Sequence, residues 1–135
     1  MLRNFAIAAI VSLALATPVL AQTAPDWSKA ETVDIGLSSY AFTPSTLNLH
    51  ANTPYKLVFA STVTKDHDFT APELFASGIV APEDKSKISS DGSVEVDDGG
   101  TVEVRFMPQK PGTYEFHCSH FMHATLGMKG QAVVR

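Results

Sequence analysis

Apolar and polar residues alternate in short runs over most of this chain beyond residue 30, at 31–37, 46–50, 54–61, 93–96, 101–107, 112–118 and 130–134. A two-residue period puts alternate side chains on opposite faces of an extended strand, so each run predicts a strand. Turn-forming clusters at 42–45, 51–54, 90–92, 97–100 and 109–112 separate these runs. Short strands at such spacing predict an all-β sandwich or barrel, and no long segment beyond residue 21 carries helical periodicity. The stretch 71–87 breaks the pattern. It holds Pro72 and Pro82 around an apolar run, and is read as a connection that is either a short helix or an irregular crossover.

The start of the chain follows another rule. Arg3 precedes a small and apolar run over 6–16, broken only by Ser12, and Val19, Leu20 and Ala21 form a small-residue cleavage pattern before Gln22. Residues 1–21 therefore predict a cleaved signal peptide and export to the periplasm. An uncleaved membrane anchor is the competing reading. The run falls short of the roughly 20 apolar residues a spanning helix needs, and Pro18 follows it. No cysteine lies near the cleavage point to take a lipid. Residues 22–30, with Pro25, predict an N-terminal lead-in, and 31–135 a single domain with one core.

Charge narrows the partners. Loss of Arg3 with the leader takes the formal net charge from −4 to −5, without basic clusters, which gives no reason to expect nucleic acid or an anionic membrane. The chain has one cysteine, Cys118, so it forms no internal disulfide. In an oxidising compartment a free thiol is a liability, which favours a ligand role.

The surroundings of Cys118 give that role a chemistry. Four residues separate Cys118 from His123, and four more separate His123 from Met128. A thiolate and imidazoles as strong ligands with a weak axial thioether are the donor set of a blue copper site, and a second imidazole would complete it. His67, after the strand predicted at 54–61, is the candidate; His50, ending a strand before a turn, reads as a surface histidine. Zinc prefers thiolates, imidazoles and carboxylates, so the thioether favours copper. In an extended 112–118, Tyr114, Phe116 and Cys118 share the apolar face while Glu115 and His117 share the other. Gly127 and Gly130 supply backbone freedom for the return of the chain.

These residues carry a resemblance. The segment Phe42-Thr-Pro-Ser-Thr-Leu-Asn-Leu, the run Thr53-Pro-Tyr-Lys-Leu-Val-Phe, His67-Asp-Phe, and Pro111-Gly-Thr-Tyr-Glu-Phe-His-Cys118 together resemble the cupredoxins, from about Glu31 to Arg135. The four-and-four spacing is most like that of rusticyanin and many multicopper-oxidase type 1 centres. The resemblance implies a Greek-key β-sandwich of about seven to eight strands holding one type 1 copper ion, with His67, Cys118 and His123 equatorial and Met128 axial. Asp68 departs from the family, many of whose members carry an asparagine there that ties the ligand loops together.

The implied function is single-electron transfer between redox partners, a cytochrome or a copper oxidase or reductase, docking on Phe121, Met122, Ala124 and Leu126 around His123. Those residues could equally pack the loop. A second reading is periplasmic copper resistance, storage or delivery to a copper-accepting protein, using His117, His120, Met122 and Met107 as spare ligands. A stand-alone copper oxidase or reductase needs further histidine ligands, and five histidines in all leave too few.

Overall fold

The computed structural model describes residues 23–135. The predicted signal peptide lies outside them. The lead-in carries one 3-10 turn, Trp27–Lys29, capped by the Asp26 side chain.

Among the described residues ten strands build two five-stranded sheets, more than the seven to eight expected. In chain order they are β1 (Glu31–Ser38), β2 (Ala41–Thr43), β3 (Thr46–Leu49), β4 (Tyr55–Ser61), β5 (His67–Thr70), β6 (Gly78–Val80), β7 (Ser93–Val96), β8 (Thr101–Pro108), β9 (Gly112–His117) and β10 (Lys129–Val134). One sheet runs β2-β1-β4-β8-β6 and the other β3-β10-β9-β5-β7. All seven strands predicted from alternation are present. The three additional ones are only three or four residues long, too short to show a period.

The stretch 71–87 is both things considered for it. A short helix, α1 (Pro72–Ala76), leads into β6 and then a 3-10 turn, Pro82–Lys87. That turn is anchored by buried Asp84, which accepts from Arg105 Nε at 2.7 Å, the Arg105 amide at 3.0 Å and Lys87 Nζ at 2.7 Å. It thereby fastens the crossover to β8.

Alternation explains where the core sits. In β4 every second residue is buried, from Tyr55 through Leu57 and Phe59 to Ser61. Phe59, Phe69 and Phe116 meet at the centre, with ring centroids 4.7 Å apart for Phe59–Phe69 and 4.6 Å for Phe69–Phe116. Phe42 closes edge-on against both Phe69 and Phe116. Such aromatic pairs contribute beyond their buried area. Phe69 stands two residues after His67 and Phe116 two before Cys118, so the same alternation that buries these rings aims His67 and Cys118 at one end of the sandwich.

Candidate metal centre

His67 opens β5, where it pairs antiparallel with Val96 of β7. Its ring is wholly buried. Cys118 follows the last residue of β9 and is 1 % exposed. The chain then forms a hook held by its own backbone. The Cys118 amide donates to the Met128 carbonyl at 3.0 Å, the Met128 amide to the His123 carbonyl at 2.9 Å, and the His123 amide to the His120 carbonyl at 3.0 Å. Met122 and Gly127 adopt left-handed backbone, with φ of 62° and 105°, to close the hook. Gly130 has a different purpose from the freedom expected of it. A Cβ there would collide with the Ser45 carbonyl and the Phe116 ring, so β10 can approach β9 and the β2–β3 corner this closely only without a side chain.

The hook brings the predicted residues together. Cys118 Sγ lies 3.3 Å from His123 Nδ1 and 4.0 Å from His67 Nδ1, and the three donor atoms lie within 4.8 Å of one another. Met128 is fully buried at the foot of the hook, its backbone joined to both Cys118 and His123. Tyr40, from the β1–β2 turn, meets the His123 ring edge-on at 5.1 Å, while His120 stacks on it at 5.5 Å.

Burial sets the protonation states. It lowers the pKa of His67, helped by the neighbouring His123 and His120, and lowers that of His123, helped by His120 and Lys65. Both rings are thereby biased toward the neutral, lone-pair-bearing form that binds metal. Burial pushes the Cys118 thiol up; the backbone amides of Asp68 and His120 oppose this, and the charges of Asp68 and Glu95 add to it. A buried thiolate here needs a cation to replace its proton. His67 Nε2 is buried without a hydrogen-bond partner, so packing and whatever binds Nδ1 orient the ring. One soft thiolate, two neutral imidazoles and a buried thioether fit one type 1 copper ion.

Asp68 resolves the departure noted in the sequence. It accepts from the Ser119 amide at 2.8 Å, from the Ser119 hydroxyl and from the Thr70 hydroxyl at 2.8 Å. The residue after His67 is thus bonded to the residue after Cys118, and the two ligand segments are tied by a carboxylate. The sequence did not show this tie, because the partner, Ser119, has no recognisable signal of its own. The Glu95 carboxylate lies 2.9 Å from His120 Nε2 and holds that ring beside the site.

The other candidates stay apart. His50 is exposed after β3. Met107 lies on β8 in the opposite sheet, paired with Ile79. His117 is half-buried on the face of β9 away from Cys118, beside Glu115 and Lys129. Phe121 is 89 % exposed, Met122 50 % and Leu126 52 %, so they form a surface rather than filling the loop.

Residues 6–134 match the cupredoxin-like domain family. Comparison with curated proteins gives no match. Among solved structures, auracyanin B is 20 % identical with a TM-score of 0.58, over 85 % of this chain and 93 % of its own. Auracyanin A of Chloroflexus aurantiacus, described as a "blue" copper protein, is 20 % identical with a TM-score of 0.57, over 77 % and 98 %. A multi-copper oxidase of Pseudomonas thermotolerans is 16 % identical with a TM-score of 0.63, and the chain spans 90 % of itself but 33 % of that enzyme. At these identities the likeness is one of fold. The residues matched and the two-sheet sandwich together establish that the chain belongs to the cupredoxin-like domain family.

Proposed function

We propose that this protein is a periplasmic carrier of single electrons, using one copper ion held by His67, Cys118, His123 and Met128. The observation that carries the reading is the placement of three donor atoms within 4.8 Å, two of them buried, on a strand and a hook braced by backbone hydrogen bonds. Bound copper supplies a one-electron couple with thiolate charge-transfer colour.

The protein's own groups do the rest. His67 and Cys118 are fixed by strands whose next inward residues, Phe69 and Phe116, stack in the core, so the donors have little room to rearrange on a change of charge. Asp68 locks the two segments to each other through Ser119. The apolar side chains Phe121, Met122 and Leu126 surround half-buried His123 and offer a small docking face for a redox protein, a cytochrome or a copper oxidase or reductase. No separate catalytic group is invoked, and the protein acts as a carrier rather than an enzyme.

Copper storage or delivery is the second reading, favoured by half-exposed Met122 near the hook. Burial of Cys118 weighs against it, because a delivered ion must be reachable by its acceptor. Met107, on the other sheet, cannot join the remaining spare ligands.

The test is copper titration of the protein against a Cys118→Ser variant, read by visible and paramagnetic resonance spectra and an ascorbate–ferricyanide cycle. One tightly held copper with intense absorption and reversible cycling, lost in Cys118→Ser while cooperative unfolding persists, is the expected outcome. Several weakly coloured coppers, or ready loss of Cu(I) to a chelator, would establish delivery instead.

A further inference from the structure

The copper end of the sandwich is made by four loops. Besides the hook and the Tyr40 turn, these are residues 62–66, which lead into His67, and residues 97–100, which follow β7. The last two are stitched together: the Asp98 amide donates to the Asp66 carboxylate at 3.0 Å, the Gly99 amide to the Val63 carbonyl at 3.3 Å, and the Ser61 amide to the Gly100 carbonyl at 2.9 Å. Their pairing is fixed from below, because His67 of β5 lies opposite Val96 of β7. The two loops therefore form one rim beside the ligand pocket.

That rim is acidic. Asp66, Asp97 and Asp98 are all exposed and none has an ion-pair partner among the described residues, while Lys65 is the cation of the same loops. Glu95, at the end of β7, extends the negative edge to His120, which stacks on His123. Elsewhere several carboxylates are paired with cations, although others, such as Glu31 and Glu73, are exposed without an ion-pair partner among the described residues. Asp26 pairs with Lys29, Glu103 with Lys56, Glu83 with Arg105, and Asp84 with both Lys87 and Arg105. Four of the protein's cations are thus engaged away from the copper end, whereas Asp66, Asp97 and Asp98 lie unpaired on the loops beside His67, at the end of the sandwich whose hook exposes Phe121, Met122 and Leu126.

We infer that this face docks a basic redox protein, one whose electron-accepting group opens inside a ring of lysines or arginines. The inference rests on the electron-carrier reading and names the partner chemistry of that same site. An apolar centre excludes water at the contact, while a rim of unpaired charge steers the encounter and rejects partners of like sign. Opposite charge also suits a short-lived complex, since steering raises the association rate without demanding a large buried area. Lys65 stands within this rim, one cation beside Asp66, Asp97 and Asp98.

The test uses the copper-loaded protein and, as probe, a basic c-type cytochrome. The second-order rate of electron transfer is measured from about 10 mM to about 500 mM salt, a range over which the screening length falls from roughly 30 Å to a few ångströms. The triple variant Asp66→Asn, Asp97→Asn, Asp98→Asn is compared with a control carrying Glu31→Gln and Glu73→Gln, exposed acids at the start of β1 and in α1. The wild-type rate is expected to fall steeply with salt. At low salt the triple variant should be slower by about tenfold or more and nearly salt-independent, with the control unchanged. A wild-type rate that is flat or rises with salt, or a triple variant no slower than the control, overturns the docking assignment while leaving the carrier reading in place. Ferricyanide and ascorbate separate the two, because a copper that cycles with neither, nor with the cytochrome, removes both. Phe121→Ser adds a second check: it should slow the cytochrome reaction at every salt concentration without altering the copper spectrum.

Discussion

Two carboxylates are buried in this sandwich, and they are treated in opposite ways. Asp84 is 4 % exposed and Asp68 2 %. Burial alone would raise the pKa of Asp84, but bonds from Arg105 and Lys87 outweigh it and hold the group well below the ordinary 3.8. Asp68 instead meets one backbone amide and two hydroxyls, and the nearest group able to carry positive charge is His120, 3.8 Å away. Where the fold only needs a fastening, it cancels the buried charge with cations. Beside the ligands no Lys or Arg faces the carboxylate, which serves instead as the hydrogen-bond acceptor that ties the hook to β5.

The strongest way to break this contrast is at Asp84. Replacing it with Ala leaves Arg105 and Lys87 facing an empty site and should cost about 3 kcal/mol, the low end for breaking a buried pair because both cations are partly exposed. The copper spectrum should not change. Urea unfolding with and without copper measures both, and a coupled loss of colour would show that the crossover and the site are one unit. The acid side adds a direction. The folded pKa of Asp84 is depressed, so its contribution is fully present above 3.8 and disappears as pH falls below that value toward the lower folded one. The wild type should therefore lose stability there more steeply than Asp84→Asn.

Asp68→Asn sharpens the other half. Asparagine keeps an oxygen for the Ser119 amide, so unfolding should move by less than about 1 kcal/mol. Removing a negative charge from beside the ligands should raise the reduction potential by roughly 60 mV, a tenfold change for a one-electron couple. An unchanged potential would mean that the charge is not felt at the copper. The smallest effect is expected at His117. It faces away from Cys118, and His117→Ala should leave the visible spectrum intact and stability within about 0.5 kcal/mol.

How much of this could be read from the chain depends on distance along it. The longer strands were visible because alternation over six to eight residues is a strong signal, as in β1, β8 and β9. β5 was not, since all four of its residues are buried and the strand shows no alternation. Cys118, His123 and Met128 stood out because a single hook contains them. Tyr40 against His123, Ser119 on Asp68, and the joined rims at 62–66 and 97–100 arise only when remote segments meet, and no local pattern announces them.

The hook and its flanking strands β9 and β10 form a local unit that can assemble early and already contains three donors. His67 arrives by another route. β5 is registered on β9 at one residue pair, Thr70 with His117, and β10 must also settle parallel to β3, residues 131–134 beside 46–49. Contacts so far apart in the chain form slowly. During refolding, the three donors of the hook are therefore expected to come together before His67 joins them. Thiolate-to-copper absorption, followed in copper-containing buffer, would then develop with the last closure of the two sheets, which makes the metal a clock for the end of folding.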